Sequence, residues 1–417
     1  MTNPANFYAA ILGVARPWQV IDVVVRSDLQ EVHVDLALEA QAATRCPQCG
    51  KSVARYDSRK RRWRHLDMCQ YKTLMSADVP RVQCPEHGVL QARVPWAEPG
   101  GRCTELFESM VIDWLKEASI LSVARQIGMS WDVVAGIQDR AVQRGLERRE
   151  LQPIRAMGVD ETAFKRRYDY VTVVSDLDGS VLHVADDRKK ESLDGFFSSL
   201  SPEQKQSIEV VAMDMWEPYI RSVAENLPLG ETKICFDKFH VAKHLGDAVN
   251  QVRVREHREL TERGDDTLKR TKYLWLTNPE NMEPNTWERF SALRDRALKV
   301  ARAWAIKETA MELWNYSYRG AAAKAWEAWI TWASRCRLEP VLKVASMVRR
   351  HLVGILNAVV RGVTNARPEG LNAKIQWIKR ISWGFRNKDR FRNAIYFHLG
   401  GLDLYPATCS RTHTKVC

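Results

Sequence analysis

Two short cysteine-containing motifs near the N-terminus have the residue types and the spacing of a zinc site. They are Cys46-Pro-Gln-Cys49-Gly and Cys84-Pro-Glu-His87-Gly, so the ligands of each pair are separated by two residues and followed by glycine. Zn²⁺ prefers four thiolate or imidazole ligands in a tetrahedron, and a closed set of four is structural rather than catalytic. Cys69, between the two pairs, is an alternative ligand, and ordinary thiols beside a surface histidine are the simpler interpretation.

Three acidic residues further along the chain have the positions needed for a catalytic Mg²⁺ or Mn²⁺ site. Asp160 lies in a run of strand-forming residues, Asp214 ends a later run, and Glu369 opens the last clear helix. If the two strands are neighbours, their carboxylates emerge side by side at one edge of the sheet, where Glu369 can complete the cluster. Mg²⁺ prefers oxygen ligands and keeps several waters, so two or three carboxylates suffice. Two such ions about 4 Å apart activate an attacking water or 3′-hydroxyl and stabilise the departing oxygen.

The hydrophobic pattern predicts the elements that carry these acids. Three valine-rich runs separated by turn residues begin at Ile154, and two strand-and-helix units follow, with strands at IEVVAMDM and TKICFD. This order predicts a mixed α/β sheet flanked by helices. From about residue 240 to residue 360 the pattern is helical. Trp326, Trp329 and Ala333 fall on one face of a helix there, which favours core packing over base stacking.

A helix-turn-helix is predicted before the first of these strands. Residues 19–38 alternate as in a β-hairpin, and from Cys103 to about Gly145 the pattern is helical with one interruption, at Gly128. Ser130 can cap the second helix, and a helix of this kind enters the major groove with its N-terminal residues, here Ser130 and Trp131, at the base edges. Two antiparallel helices also occur in many proteins that do not bind DNA.

Basic residues are in excess and are clustered. The 417 residues include 63 Lys and Arg against 51 Asp and Glu, a net charge of +12. Residues 55–65 contain six cations and one acid, and residues 361–392 contain nine cations and two acids. Clusters of this kind are typical of phosphate contact, with a solvated basic face as the alternative. The predicted DNA contacts in these stretches are Arg59, Lys60, Arg61, Arg62, Arg64, Lys379, Arg380 and Arg386.

Other classes of protein fit the sequence poorly. No run approaches the ~18 consecutive apolar residues of a membrane span, and the N-terminus lacks the basic region and cleavage site of a signal peptide. Nine cysteines at irregular spacing favour thiols or metal ligands over a disulfide framework. These features predict a cytoplasmic bacterial protein, associated with the nucleoid when bound to DNA, with no membrane partner.

Taken together, the motifs resemble those of the ISL3 family of insertion-sequence transposases, which belong to the DDE superfamily and have a ribonuclease-H-like catalytic fold. The resemblance covers nearly the whole chain and includes the zinc module and the helix-turn-helix. It continues in GVDE at 158–161, AMDMWEPY at 212–219 and FDKFHV at 236–241. The most specific segment is NARPEGLNAKIQWIKRISWGFRN at 365–387.

The resemblance implies that Asp160, Asp214 and Glu369 bind the catalytic metals. It also implies that the 155 residues from Asp214 to Glu369 (369 − 214) contain a helical insertion in the catalytic fold. The partner would be double-stranded DNA, both the terminal inverted repeats and the target. Synapsis of two ends implies at least a homodimer. His87 departs from the family, in which cysteine is usual at this position.

Three further residues are weaker candidates for the catalytic site than the triad of Asp160, Asp214 and Glu369. Asp237 and His240 are candidates to ligate a third metal, to orient its ligands or to act on the scissile phosphate, although a lone histidine is more often a structural group. Asn387, next to Arg386, is a candidate to hold phosphate oxygens.

Two alternatives to a transposase are a nuclease of the ribonuclease H type without strand transfer and a transposase-derived DNA-binding regulator without catalysis. The helix-turn-helix and the zinc module argue against the first, and the presence of all three acids argues against the second. The expected domains are a hairpin and zinc module at 1–100, a helix-turn-helix at 101–150, the first part of the catalytic core at 151–240, a helical insertion at 241–360, the last part of the core at 361–405 and a C-terminal tail at 406–417.

Overall fold

The computed structural model describes residues 4–165, 169–296, 298–362 and 366–407, and for residues 366–369 it describes the backbone only. The chain forms two compact units. Of the described residues, one unit contains those from 4 to 149 together with 402–407, and the other contains those between Glu150 and Gly401. The sequence placed everything up to residue 405 in the last part of the catalytic core. The structure corrects this, because the chain returns to the first unit at Leu402.

The first unit begins with a five-stranded sheet around a tryptophan core. The strands follow the order β1-β2-β4-β3, and β5 pairs with β4. The β1–β2 pair is antiparallel, as predicted for residues 19–38. Trp96 packs edge to face against both Trp18 and Trp63, with ring centroids 4.9 and 5.4 Å apart. The elements are α1 (Pro4–Ile11), β1 (Trp18–Arg26), β2 (Glu31–Leu38), β3 (Arg55–Met68), β4 (Tyr71–Cys84) and β5 (Gly88–Gln91).

Three helices complete this unit: α2 (Glu105–Glu117), α3 (Ile120–Ile127) and α4 (Trp131–Arg148). The turn at Gly128 is present, with the glycine at φ +65° as a left-handed C-cap. The prediction of a single interruption between Cys103 and Gly145 is wrong, because a second break separates α2 from α3. There Ser119 caps α3 by accepting a hydrogen bond from the amide of Ser122.

A buried ion-pair network fixes α4 in the first unit. Glu108 on α2 is 1% exposed and pairs with Arg140 and Arg144 of α4. Arg144 also pairs with Glu98 at 2.7 Å. Removing one partner of such a network leaves a buried charge without compensation, so the network specifies one orientation of α4 against α2.

The second unit contains a five-stranded mixed sheet of order β10-β9-β6-β7-β8. The pairs β6–β7 and β7–β8 are antiparallel, whereas β6–β9 and β9–β10 are parallel. The first and fourth strands of this region are therefore neighbours, which is the condition under which Asp160 and Asp214 emerge side by side. The strands are β6 (Ala156–Lys165), β7 (Asp169–Asp176), β8 (Val181–Asp186), β9 (Val210–Met213) and β10 (Ile234–Phe236), and helices α5 (Lys190–Ser198), α6 (Pro202–Ser207), α7 (Glu217–Asn226) and α8 (Gly230–Lys233) lie between them in sequence.

A block of helices follows β10 and shares one hydrophobic core with the sheet. Trp326, Trp329 and Ala333 are at most 2% exposed, so the predicted stripe on this helix is core. Within the described residues no helix has the length and apolar character needed to cross a membrane. The helices of this block are α9 (Lys238–Thr261), α10 (Lys272–Leu276), α11 (Pro284–Arg294), α12 (Lys299–Glu312), α13 (Arg319–Ser334), α14 (Glu339–Arg350) and α15 (Leu352–Arg361), and α16 (Ala366–Ile381) and α17 (Lys388–Leu399) follow it in sequence.

Asn357 ties this helical block to the edge of the sheet. Its amide nitrogen donates to the carbonyls of Thr232 and Ile234 at 3.0 and 2.8 Å, and its amide oxygen accepts from Arg319 at 2.7 Å. We expect Asn357→Ala to lower the free energy of unfolding by about 1–3 kcal/mol, because buried partners lose their hydrogen bonds. Urea unfolding measures the change, with Asn285→Ala, an exposed helical position, as the control. Equal effects in the two variants would contradict the role of Asn357.

Candidate catalytic, zinc and DNA-binding sites

The four predicted zinc ligands are together in the structure. The ligand atoms of Cys46, Cys49, Cys84 and His87 all lie within 4.8 Å of one another, and no other group of three or more such residues does so among the described residues. The Sγ atoms of Cys49 and Cys84 are 3.8 Å apart. That distance is the edge of a tetrahedron with Zn–S bonds of about 2.3 Å, which is about 3.8 Å. The donor set and its spacing therefore fit Zn²⁺.

The local backbone explains the repeated motif. Gly50 and Gly88, which follow the second ligand of each pair, have φ of +71° and +69°, a region that favours glycine. The imidazole of His87, 3.4 Å from the Sγ atom of Cys84, lowers the pKa of this thiol to about 6, so the metal-binding thiolate predominates at neutral pH. Cys69 is exposed in the β3–β4 turn and does not belong to the cluster. Of the two candidates, His87 is therefore the residue that joins the three cysteines.

Parallel pairing aligns acidic residues at one edge of the second sheet. Val159 of β6 is in register with Met213 of β9, which is in register with Phe236 of β10. The residue after each of these three is an aspartate: Asp160, Asp214 and Asp237. Neighbouring strands are about 4.8 Å apart, so the three backbone positions form a row across the carboxyl edge of the parallel strands.

Asp160 lies in a largely buried, polar environment. Its Oδ1 accepts a hydrogen bond from the amide of Glu161 at 2.8 Å, and its Oδ2 accepts one from the side-chain amide of Asn372 at 2.6 Å. Burial raises the pKa of the Asp160 carboxyl to about 6, because few protein groups compensate for the loss of water. A buried carboxylate that is poorly compensated by protein groups is suited to bind a cation.

Asp214 and Asp237 have different partners. Oδ1 of Asp214 accepts from the amide of Met215 at 2.6 Å and lies 3.5 Å from Nδ1 of His240. Asp237 caps α9 through Oδ1, which accepts from the amide of Phe239 at 3.1 Å. Its Oδ2 is buried without a hydrogen-bond partner. The structure thus brings His240 to Asp214 and leaves one carboxylate oxygen of Asp237 available for a ligand.

Helix α16, which carries Glu369, is held against strand β6 by a stripe of polar side chains. Asn372 bonds to Asp160, Gln376 donates to the hydroxyl of Thr162 at 3.3 Å, and Lys379 donates to the carbonyl of Ala163 at 2.7 Å. Residues 372, 376 and 379 share one face of the helix because they are spaced i, i+4 and i+7.

The backbone of Glu369 lies one turn before Asn372 in α16, whereas its side chain is outside the described residues. The sequence analysis did not single out Asn372. Its spacing from Glu369, three residues on the same helix face, was the signal that could have identified it.

Glu161 is a second acid that the sequence analysis left unassigned. It is largely buried, and its pKa is raised by burial although Arg188 acts in the opposite direction. The guanidinium of Arg188 pairs with Glu161 at 3.1 Å and lies 4.0 Å from the ring centroid of Trp216. In the sequence, only the GVDE motif, which includes Glu161, indicated a role for this residue. Its partner Arg188 could not be predicted, because the fold brings the two side chains together.

The predicted DNA contacts in the first basic cluster differ in exposure. Arg59, Lys60 and Arg62 are exposed, and Arg61 is half-buried with a hydrogen bond to the carbonyl of Gly101 at 3.2 Å. Arg64 corrects the prediction. It is 7% exposed, pairs with Asp67 and lies 5.0 Å from the ring centroid of Phe107, so its charge is used inside the protein.

The predicted DNA contacts in the second basic cluster, residues 361–392, also differ in exposure. Arg380 and Arg386 are exposed, as a phosphate contact requires. Lys379 is half-buried, and its ammonium group is engaged by the carbonyl of Ala163. Asn387 is the N-cap of α17, where its side chain accepts from the amide of Asp389 at 2.6 Å. Asn387 therefore has a structural role as the cap of α17.

The start of α4 is accessible. Ser130 occupies the N-cap position, but its side chain makes no capping hydrogen bond, which corrects the expectation that it caps the helix. Ser130 and Trp131 are exposed, whereas Val134 and Ile137 are fully buried and anchor the helix. Ser130 and Trp131, at the start of α4, are thus accessible to solvent.

A zinc-type cluster and a helix-turn-helix with an accessible second helix thus lie in the first unit, and a mixed sheet with aligned carboxylates lies in the second. Residues 157–395, more than half of the chain, match a family model described as transposase. Residues 92–142 match the helix-turn-helix domain of transposase family ISL3, and residues 42–87 match a zinc-finger of the transposases of IS204, IS1001, IS1096 and IS1165. The chain belongs to the ISL3 family of transposases.

Individual relatives agree with this assignment. The transposase for insertion sequence element IS1557 of Mycobacterium tuberculosis, found in two strains, is 29% identical over 416 residues, which is 92% of this chain and 92% of the relative. The transposase for insertion sequence element IS1001 of Bordetella parapertussis is 26% identical over 352 residues, 83% of this chain and 86% of the relative. The zinc-finger match and the Cys/His cluster together support structural zinc.

The zinc site can be tested by replacing two of its four ligands. We expect Cys46→Ser combined with Cys49→Ser to release zinc and to disorder residues 42–54 and 84–91, because structural zinc contributes about 10 kcal/mol or more to folding in small modules. The tryptophan core of the sheet should survive, so hydrogen exchange at Trp63 should stay slow. Metal analysis and hydrogen exchange measure both effects. Cys69→Ser is the control and should keep its zinc, and less than half an equivalent of zinc in the wild type would contradict the assignment.

For Asp160 we expect a substitution to stabilise the protein, in contrast to the loss of structure expected for the zinc ligands. Because its pKa is raised to about 6 from an ordinary value of 3.8, the folded protein binds this proton more tightly than the unfolded chain does. The penalty for ionisation therefore develops as the pH rises from about 4 to above 6. We expect Asp160→Asn to stabilise the protein by about 1–3 kcal/mol at pH 7.5 without Mg²⁺, and not at pH 4.

Urea unfolding in a buffer that retains zinc but lacks Mg²⁺ measures this difference. Asp194→Asn is the matched control. Although burial opposes the effect, hydrogen bonds from Ser222 and Lys190 lower the pKa of Asp194, so this variant should lose stability near neutral pH. A loss of stability in both variants would show that the Asp160 carboxylate is not held at a cost.

Proposed function

We propose that the chain is a DNA transposase that binds the terminal inverted repeats of its insertion sequence and catalyses metal-dependent cleavage and transfer of DNA strands. The catalytic part is the second unit, which we propose to be a ribonuclease-H-like core with the helical block α9–α15 as an insertion. The observation that carries this proposal is the alignment of Asp160 and Asp214, each directly after the segment in which β6 and β9 pair in parallel. Helix α16, the helix of Glu369, is hydrogen-bonded to one of these two carboxylates.

The residues at this edge fit Mg²⁺ or Mn²⁺. The donors are carboxylate oxygens, which both ions prefer. Asp160 is buried with a raised pKa, and one oxygen of Asp237 is buried without a partner, so both gain from a nearby cation. When bound, the metal ions would activate the attacking oxygen and stabilise the leaving oxygen of the phosphodiester.

The protein side chains act by positioning. In the proposed site Asp160, Asp214 and Glu369 hold the metals, and Asn372 keeps the Asp160 carboxylate in one orientation through the hydrogen bond to Oδ2. His240, 3.5 Å from Asp214, orients this carboxylate or, when protonated, faces a phosphate oxygen. Asp237 supports the site through its unpaired oxygen, and Arg188 keeps the neighbouring Glu161 neutralised.

Recognition of the ends is assigned to the first unit. We propose that α4 enters the major groove with Ser130 and Trp131 at the base edges, while Arg59, Lys60, Arg61 and Arg62 contact phosphates. In the second unit, Arg380 and Arg386 have the exposure needed to contact DNA near the cleavage site. Bringing two ends together requires a homodimer or a higher oligomer in the synaptic complex.

The catalytic proposal is tested with Asp160→Asn, Asp214→Asn and Glu369→Gln. Each keeps side-chain volume while removing a charge, so folding and binding to end DNA should persist. We expect cleavage of labelled end duplexes to fall by on the order of 10²–10³-fold or more in each variant. The three losses should not add, because the residues act as one unit. Wild-type cleavage should require Mg²⁺ or Mn²⁺, and Ca²⁺ should support binding with little cleavage.

Two controls make the outcome specific. Asp194→Asn removes a carboxylate that bonds to Ser222 at 2.6 Å in the same unit and should leave cleavage unchanged. Asp237→Asn should cost less than any triad variant. A Glu369→Gln protein that cuts as fast as the wild type would place the third carboxylate elsewhere. A wild type that binds ends but never cuts would support the regulator, and one that cuts without joining would support the nuclease.

A further inference from the structure

A basic cleft lies between the β3–β4 hairpin and the turn of the helix-turn-helix. It has a volume of about 720 Å³ and is open to solvent. It contains six cationic side chains and no acidic one among its lining residues. The residues that line it are Lys60, Arg61, Arg62, Arg64, Lys72, Leu74, Gly100, Arg102, Gly128 and Met129.

The register of the hairpin builds one wall of this cleft. Lys60, Arg62 and Arg64 alternate along β3 and therefore point to the same face of the sheet. Arg64 is opposite Leu74 in β4, and Lys72 is two residues away on the same face. Successive cations on β3 are about 6.8 Å apart, which is comparable to the spacing of successive phosphates along a DNA strand.

The other wall is the turn before α4. An atom at the Cβ position of Gly128 would lie 3.4 Å from Nζ of Lys72, so this ammonium group reaches the turn. Arg102 lies on the segment before α2 and also lines a second cavity, of about 390 Å³, together with Ser130, Asp132 and Val133. Arg102 thus joins the basic cleft to the accessible first turn of α4.

Among the described residues only one of the six cations, Arg64, forms an ion pair, and four of the others are exposed. Lys60, Arg62, Lys72 and Arg102 are exposed, and none forms an ion pair in the part of the chain that the structure describes. Arg81 on the same hairpin contrasts with them, because it pairs with Asp57. Unpaired cations without acids in a concave surface attract a polyanion.

Arg64 has a different part in the cleft. Its guanidinium donates to the carbonyl of Thr73 at 3.4 Å and stacks over Phe107 of α2. It therefore connects the hairpin to α2, while Asp67 neutralises its charge. We assign Arg64 as a positioning residue of this site.

We propose that this cleft holds the sugar-phosphate backbone of the same duplex DNA whose bases are contacted by the start of α4. The inference rests on the proposed function and adds Lys72 and Arg102 as phosphate contacts that the charge clusters of the sequence did not indicate. Phosphate contacts fix the register of a protein on DNA without reading its sequence. The cleft would thus set how deep and at which angle α4 enters the groove.

The experiment compares Lys72→Gln, Arg102→Gln and their double variant with the wild type. Binding of the full-length, zinc-loaded protein to an end-containing duplex and to a random duplex is measured by fluorescence anisotropy between 50 and 300 mM salt, a range of about sixfold. Each lost contact should reduce the magnitude of the log–log salt slope by about 0.9, so the double variant should lose about 1.8. Both duplexes should lose affinity by similar factors, because phosphates carry no sequence information.

Matched controls separate this effect from net charge. Arg26→Gln and Arg93→Gln remove exposed cations from the same unit outside the cleft and should leave the slope unchanged. Neutral methylphosphonate linkages placed one at a time in the end duplex provide a second readout. At one or two positions they should weaken the wild type but not the double variant, which has already lost those contacts. Circular dichroism and zinc content check that the variants are folded.

The outcomes distinguish the two levels of inference. A wild type that prefers ends, with cleft variants that keep its full salt slope and its sensitivity to methylphosphonate, would overturn the cleft while leaving the proposed function intact. A wild type without preference for end DNA would overturn end recognition itself. A loss confined to the end duplex would also reject the cleft as a phosphate site, because it would assign Lys72 and Arg102 to base contacts.

Discussion

The register between three parallel strands is the constraint on which the proposed active site depends. Val159, Met213 and Phe236 are in register across β6, β9 and β10, and each is followed by an aspartate. A shift of one residue in either pairing would move one acid out of the row and turn neighbouring side chains to the opposite face. The register is specified by hydrophobic burial, because Val159, Met213 and Phe236 are at most 4% exposed. Packing of apolar residues thus determines where the carboxylates lie.

The helical block stabilises the edge of this row rather than standing apart from it. Helix α15 packs against β10 so closely that a Cβ atom at Gly354 would lie 2.4 Å from Cδ2 of Phe236. Only glycine permits this approach, and Asn357 from the same helix satisfies the carbonyls of Thr232 and Ile234. Because the helical block and the sheet share one core, the helices between β10 and α16 are part of the support for the proposed site.

The sequence predicted elements and ligand sets well where a local pattern determines them. The zinc ligands follow from repeated spacing, and the neighbouring positions of Asp160 and Asp214 follow from strand order. Roles that depend on tertiary contacts were missed or wrong. Arg64 reads as one more surface cation, yet burial against Phe107 removes it from the surface.

The residue type of Asn372 does not by itself indicate a role, because its side chain meets Asp160 only when α16 packs on β6. Asn387 is a candidate phosphate contact in the sequence, and in the structure its side chain caps α17 by accepting a hydrogen bond from the amide of Asp389. The break after α2 was also missed, because the hydrophobic period of three helices in sequence resembles that of two. The pattern of a sequence reports which face of an element is apolar, but not which partner that face will meet.

Charge is distributed in a way that answers a difficulty inherent in the proposed reaction. A row of carboxylates repels the phosphates that it must approach, and the excess of twelve positive charges does not remove this local repulsion. In the first unit, the cleft between β3–β4 and the turn before α4 is lined by six cations and no acidic residue, so it would attract duplex DNA at long range. In the second unit, Arg188 pairs with Glu161, the neighbour of Asp160, and offsets one negative charge at the edge, while burial raises the pKa of Asp160, so this carboxylate gains from a bound cation. DNA binding thus needs positive charge, whereas the proposed chemistry needs carboxylates, and the chain places the two in separate units. The affinity for DNA can therefore be tuned on β3 and β4 without altering the carboxylates that would carry out the reaction.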